Sequence, residues 1–315
     1  MKTVLITGVA GFIGSHVCDS FLERDFKVIG IDNFLTGSES NIINNLKNKN
    51  FEFINHDICK KIKIDKKIDY ILHFASPASP VDYLKYPIKT LQIGSIGTEN
   101  ILKLGVKNNA IVLVASTSEV YGDPLEHPQK ETYYGNVNPI GPRGVYDEAK
   151  RYLEALTMAY KNKLGLNIRI VRIFNTYGPR MRINDGRAIP NFINQALNNM
   201  DFTIYGNGNQ TRSFCYISDT VFGISRTLEI NYQYPINIGN PSEHSINDLI
   251  EILKKLIPSK SKNKYMPLPE NDPKVRKPDI HLAKSILNWK PKVNLKLGLK
   301  KTIEYYQKYL ILNND

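Results

Sequence analysis

Thr3-Val4-Leu5-Ile6-Thr7-Gly8-Val9-Ala10-Gly11-Phe12-Ile13-Gly14 decides the fold. A short apolar run meets three glycines within seven residues, and helical spacing then runs from Ile13 to Arg24. A strand that turns through glycines into a helix lets the backbone approach a pyrophosphate at the helix N-terminus. Free N–H groups and the helix dipole favour negative charge there. Asp32 ends the next apolar run, eighteen residues beyond Gly14. Its carboxylate can accept hydrogen bonds from an adenosine ribose and would repel the extra phosphate of NADP, so NAD is the expected cofactor.

Working outward, Lys27 to Asp32, Phe51 to Asn55, Tyr70 to Phe74, Ile111 to Ala115 and Asn167 to Phe174 read as strands. Helical patterns near Thr90 to Asn108 and Val145 to Leu164 lie between them, the second closed by Gly165 as C-cap. Repeated strand-helix units predict an α/β fold, a doubly wound parallel sheet of the Rossmann type. Beyond Asn175 the pattern loosens. A helix is expected near Ile189 to Asn199 and another from Ser245, with Asp248 completing a variant capping box. Tyr234 to Gly239 is expected to rejoin the first sheet. The division is therefore interleaved, with residues 1–174 and about 213–240 in the dinucleotide domain and about 175–212 and 241–315 in a smaller substrate-binding region.

The 315 residues, 42% hydrophobic, suffice for a large core. Cys18, Cys59 and Cys215 are odd in number and lack metal-ligand spacing, so neither a disulfide framework nor a metal site is expected. Met1-Lys2 leads straight into the first strand, and no apolar run reaches membrane-spanning length. A soluble cytoplasmic protein is the expectation. The net charge of +12 is scattered in groups such as Lys60-Lys61, Lys66-Lys67 and Lys254 to Lys264. It reads as a solvated surface that tolerates anionic substrates, without a nucleic-acid partner.

Tyr146 and Lys150 stand four residues apart on the helix that follows Ser116-Thr117-Ser118-Glu119. At that spacing both project from one face, where the ammonium can lower the phenol pKa and make it a base. His73 reads as a packed strand residue.

The chain resembles the extended short-chain dehydrogenase/reductases, and among them the UDP-glucuronate decarboxylases (UDP-xylose synthases). The glycine loop and the Tyr-Lys pair carry the superfamily likeness. More specific are His73 to Pro80, Ser116 to Pro124, Asn138-Pro139-Ile140-Gly141-Pro142-Arg143, Arg172 to Arg180, and Arg276-Lys277-Pro278-Asp279-Ile280. The resemblance implies that Gly8, Gly11, Phe12, Ile13 and Gly14 hold the pyrophosphate. Asp32, Asn33 and Phe34 would hold the ribose, Asp57 and Ile58 would meet adenine, and Phe74, Ala75, Ser76 and Thr90 would complete the cofactor site with Tyr146 and Lys150.

It further implies that Tyr146 takes the proton of the sugar 4-hydroxyl, that Thr117 positions that hydroxyl, and that Lys150 tunes the tyrosine. Oxidation at C4 makes the sugar carboxylate a β-keto acid, so carbon dioxide can leave; proton and hydride return then give UDP-xylose. Related 4,6-dehydratases carry an Asp where this chain has Ser118. A serine is a poor acid for expelling hydroxide, which favours decarboxylation, while Glu119 would help distort the sugar or handle the C5 proton. Arg276 would orient the carboxylate. Asn175, Arg187, Tyr205, Gln210 and Arg212 are the candidates for the UDP group. Gly94 stands where many relatives carry an Asn. A homodimer is expected from the resemblance. A 4-epimerase or 4,6-dehydratase is the nearest competing activity, and a non-catalytic NAD-binding regulator or scaffold is the alternative of another class.

Overall fold

A computed structural model describes residues 1–267 and 275–314. The chain begins β1 (Thr3–Thr7), α1 (Phe12–Leu22), β2 (Lys27–Asp32), β3 (Phe51–Asn55) and β4 (Tyr70–His73). Two short helices, α2 (Pro80–Lys85) and α3 (Pro87–Gln92), run through a π-helical turn at Ile93–Gly97 into α4 (Thr98–Asn108). Then follow β5 (Ile111–Thr117), a 3₁₀ turn at Ser118–Tyr121, the long α5 (Gly144–Leu164) and β6 (Ile168–Ile173). The remainder is β7 (Thr176–Tyr177), α6 (Ala188–Leu197), β8 (Phe202–Tyr205), β9 (Thr211–Ser213), β10 (Cys215–Tyr216), α7 (Ile217–Glu229), β11 (Pro235–Ile238), β12 (Glu243–Ser245), α8 (Ile246–Leu256), β13 (Asn263–Met266), α9 (His281–Leu287) and α10 (Leu295–Asn314).

Seven strands form one sheet in the order β11-β6-β5-β4-β1-β2-β3, every pairing parallel. The strand alternation sorts its side chains to two faces. Val4, Ile6, Leu72, Leu113 and Val171 point into a core with Val17 and Phe21 of α1 and Ile224 of α7. Leu5, Ile29, Ile71, Val112 and Ile170 point the other way, against Ile101 and Leu102 of α4 and Leu153 of α5. The expected doubly wound sheet is present, and β11 is its seventh strand.

The first of these cores continues into the C-terminal region through Phe192, Ile193, Phe202, Leu249, Leu253 and Trp289. The joint is also polar. Asp219 of α7 accepts from Trp289 Nε1 on its carbonyl and from the N–H groups of Lys292 and Val293 on Oδ2. Ser245 and Asp248 cap α8 reciprocally, as their spacing predicts. Gly165 ends α5 in the left-handed conformation, φ +66°. The helical stretch expected near Thr90 to Asn108 is present, continuous from Pro87 through the π-helical turn at Ile93–Gly97. Pro80 and Pro87 each start a separate short helix, since proline is tolerated in the first turn but not inside.

Among the described residues, no helix is long and apolar enough to cross a membrane and no group of side chains is arranged to hold a metal ion.

Candidate active site

The glycine turn is fixed by its neighbours. Gly8 has φ +71°, and a Cβ there would lie 2.7 Å from the backbone nitrogen of Ala75. A Cβ on Gly14 would lie 2.1 Å from the carbonyl oxygen of Gly8. Both glycines are therefore needed for β1, the turn, α1 and the end of β4 to meet. The N–H groups of Phe12, Ile13 and Gly14 open α1 and have no intrahelical acceptor by helix geometry.

Asp32 receives the N–H of Ala10 on Oδ2 and of Phe34 on Oδ1, both at 2.9 Å. Burial raises its pKa, against the pull of those two hydrogen bonds. With Asn33, Asp57, Ile58, Ala75 and Ser76 it lines a small cavity that continues from the glycine turn. This backbone cradle, with a carboxylate at the ribose position, fits a dinucleotide.

Two of the expected cofactor residues lie elsewhere. Thr90 is fully buried on α3, its hydroxyl donating to the Tyr86 carbonyl, and Ile93 lines the cavity in its stead. The Phe34 ring packs on Phe53 with centroids 5.2 Å apart, so only its N–H serves Asp32. Asp57 is tied to Lys89 at 2.5 Å. His73 is buried between the hydroxyls of Thr7 and Thr98, and its pKa is lowered to about 3 by burial and by Lys150, which makes it a neutral packing residue.

The large cleft, about 670 Å³, opens from the glycine turn past the ends of β5 and β6 to α6 and β9. Tyr146, in the first turn of α5, is buried and stacks on Tyr83 of α2, centroids 5.2 Å apart and planes 10° off parallel. Burial pushes its pKa up to about 12, while the Thr117 hydroxyl and the Arg187 guanidinium pull it back. Lys150, one turn on, donates to the Ala115 carbonyl at 2.8 Å and lies 5.8 Å from the Tyr146 ring centroid. Burial lowers its pKa to about 8. The sequence reading assigned the tuning of the phenol to Lys150. In the structure Lys150 Nζ lies over the Tyr146 ring while it donates to the Ala115 carbonyl, and the Arg187 guanidinium adds a further charge that favours the phenolate.

Gly94 packs directly on α5: a Cβ would meet both Cβ and the carbonyl oxygen of Ala149 at 2.8 Å. An Asn does not fit there, and the close approach holds the helix just ahead of Lys150.

Thr117 ends β5 and accepts from the Glu119 N–H at 3.3 Å, capping the turn that presents Ser118 and Glu119 to the cleft. Glu119 is doubly paired, Oε1 with Arg276 and Oε2 with Arg143. Arg276 is buried; it also donates to the Gly122 carbonyl at 3.0 Å, and its Nε has no partner. Burial lowers its pKa to about 10, still far above neutrality. Behind the turn, Glu154 accepts from Ser116 and from two nitrogens of Arg172, which also donates to Tyr121.

Asn175, Tyr205, Gln210 and Arg212 all line the outer part of the cleft, with Gln210 donating to the Tyr205 carbonyl at 2.7 Å. Arg187 joins them. It lines the same cleft, is paired with Asp185, and its charge also acts on Tyr146. Sequence reasoning missed Tyr83, Arg143, Asp82 and Arg182. Arg143 was legible as the end of the Asn138 to Arg143 motif; the others have no local signal beyond the Ser79-Pro80 helix start.

The sheet order, the glycine turn and the Tyr-x-x-x-Lys helix beside it define an extended short-chain dehydrogenase/reductase. A family model described as GDP-mannose 4,6 dehydratase matches residues 5–302. UDP-glucuronic acid decarboxylase 1 of Danio rerio is 48% identical over 309 residues, covering 98% of this chain and 73% of that protein. UDP-glucuronic acid decarboxylase 3 of Arabidopsis thaliana is 50% identical over 297 residues, covering 94% and 86%. Among solved structures, the UDP-glucuronic acid 4-epimerase of Bacillus cereus in complex with UDP-glucuronic acid and NAD superposes with a TM-score of 0.87 at 30% identity, covering 98% of this chain and 100% of that one. The chain belongs to the UDP-glucuronic acid decarboxylase family of the extended short-chain dehydrogenase/reductases.

Proposed function

We propose that this protein converts UDP-glucuronate to UDP-xylose and carbon dioxide. The observation that carries the reading is Arg276: a buried guanidinium, held by Glu119 and Gly122, in the lining of the cleft that Tyr146 and a serine at position 118 also line. A fixed guanidinium in that lining suits a planar carboxylate on the sugar.

NAD, held by the glycine turn and Asp32, supplies the hydride acceptor and donor at sugar C4. Thr117 and Tyr146 hold the 4-hydroxyl, and Tyr146 takes its proton, helped by the Arg187 charge that favours the phenolate. With C4 a ketone, the C5–C6 bond breaks and its electron pair passes into the enolate. Arg276 orients the carboxylate without clamping it, because part of its hydrogen bonding is already spent on Glu119 and Gly122. Ser118 offers no acid to expel a C6 hydroxyl, in keeping with decarboxylation over dehydration. In this reading the UDP group is held by residues of 175–212 and 241–315, with Asn175, Tyr205, Gln210 and Arg212 in contact.

NMR of the products from UDP-glucuronate with NAD tests the proposal: carbon dioxide and UDP-xylose are expected. UDP-galacturonate without carbon dioxide would overturn it in favour of the 4-epimerase.

The proposal includes a homodimer. Its support is the run of exposed apolar side chains Ile88, Leu91 and Ile96 near Tyr152 of α5, on helices that already pack together. Sedimentation at micromolar concentration tests it. A reducing, cytoplasmic setting suits the three free cysteines, and cell fractionation checks it.

A further inference from the structure

We infer that Asp82 and Arg182 form a clasp that closes the cleft over the sugar, and that its hold decides whether the 4-keto intermediate finishes the reaction or escapes. The inference rests on the decarboxylase reading for its chemistry and on two independent contacts for its geometry.

Asp82 lies on α2 and is 5% exposed. Its Oδ2 accepts from Ser79 Oγ at 2.8 Å and is paired with Arg182, which sits in the loop between β7 and α6. The same loop touches α2 again. Gly186 has φ +88°, and a Cβ there would come within 2.6 Å of Val81 Cγ2. An ion pair and a close backbone approach thus fasten α2 to a loop roughly a hundred residues further along the chain.

Both parts of this roof act on the catalytic base. The helix supplies Tyr83, stacked on Tyr146; the loop supplies Arg187, whose charge acts on Tyr146. Opening the clasp therefore uncovers the place where the keto sugar stands. The two ends differ in freedom: the Asp82 carboxylate is buried and anchored by Ser79, whereas the Arg182 side chain is 36% exposed. Arg182 is the end that can let go.

The consequence follows from the balance of the reaction. Oxidation moves the C4 hydrogen to the cofactor as hydride and the O4 proton to Tyr146. Loss of carbon dioxide leaves an electron pair that takes a proton at C5. The bound UDP-4-keto-pentose becomes UDP-xylose only when C4 regains the hydride and O4 a proton. If it leaves first, one reduced cofactor remains for each keto sugar lost.

The test uses Asp82→Asn, Arg182→Gln and Arg182→Lys in the full chain. Two quantities are read: the dissociation rate of UDP by stopped flow without turnover, and the ratio of UDP-4-keto-pentose to UDP-xylose by NMR. Asp82→Asn and Arg182→Gln should each raise both by about tenfold, the usual scale for losing one charge-assisted contact that holds a lid. Arg182→Lys, which keeps the charge, should restore most of the difference. Unchanged UDP dissociation and an unchanged ratio while carbon dioxide is still released would overturn the clasp alone. If the native protein releases no carbon dioxide, the decarboxylase reading and the partition fail together, and UDP dissociation still decides whether the clasp exists. Arg182→Gln keeps the test open should the buried Asp82 variant fail to fold, because its side chain is partly in solvent.

Discussion

The cofactor end of the cleft and the sugar end are built from different materials. At the cofactor end the chain presents backbone: a glycine turn of seven residues, the open N–H groups of α1, and a carboxylate held by two main-chain N–H groups. At the sugar end it presents charge. Glu119, Arg143, Arg276, Asp185 and Arg187 arrive from four separate stretches of chain; Glu119 is shared by two arginines and Asp185 pairs with the third, which leaves one positive charge in excess. A backbone site tolerates little change in shape, whereas an ion-pair site tolerates shape and depends on which charges remain.

The sharpest way to break this contrast is Gly14→Ala. The added carbon would stand 2.1 Å from the Gly8 carbonyl, so the turn has to open. The expected result is loss of the NAD-induced rise in melting temperature together with a drop in the melting temperature itself, whereas Asp32→Ala should weaken NAD binding without loss of fold. Equal damage from the two would mean that the cofactor end is not a backbone site. Next in size is Tyr146→Phe, which removes the base but keeps the ring stacked on Tyr83. Turnover should fall by about 10²–10⁴-fold with UDP affinity little changed, measured by steady-state kinetics and calorimetry.

A smaller effect separates the two cations near the phenol. Arg187→Met removes the charge that favours the phenolate, so the tyrosine pKa rises and less base exists at any given pH. The acid limb of the kcat/KM profile should move to higher pH, with activity at neutral pH down about tenfold, one pKa unit being a factor of ten. An unmoved limb would leave the tuning role to Lys150.

The smallest expected effect concerns Asp147, buried beside Tyr146 with Oδ1 unpaired. Burial, opposed by Arg143, raises its pKa from 3.8 to about 7. The folded chain therefore keeps a proton that the unfolded chain gives up between those values, and stability falls as pH rises through that window. Asp147→Asn should stabilise the protein by about 1 kcal/mol at pH 8, since the amide still has polar atoms to satisfy, and by little near pH 4. Chemical denaturation at the two pH values checks it.

The same contrast explains what the sequence could tell. The cofactor end was legible because its parts are local: Gly8 to Gly14 and the apolar runs on either side already specify strand, turn and helix. Tyr146 and Lys150 were legible as a pair because four residues make one helical turn, and β11 because Tyr234 to Gly239 is a short apolar run near a glycine. The pairing of Asp82 with Arg182, or of Glu119 with Arg276, has no such local sign. Those partners meet only after the sheet has ordered its strands, so the reading named Arg276 and Glu119 without joining them and left Arg182 out. Thr90 was misplaced for a related reason. Packing of the helix decides which residue meets the cavity: the Thr90 hydroxyl turns to the Tyr86 carbonyl, and Ile93 lines the cavity.

Trp289 is the sole tryptophan in the sequence and is 1% exposed, its indole N–H held by the Asp219 carbonyl at the joint of α7 with the C-terminal region. Nature has thereby installed a single fluorophore at the seam. Its emission will report whether the C-terminal region stays seated on the sheet, at wavelengths where the eighteen tyrosines contribute little. One optical signal can therefore follow undocking apart from the loss of the strands beneath it.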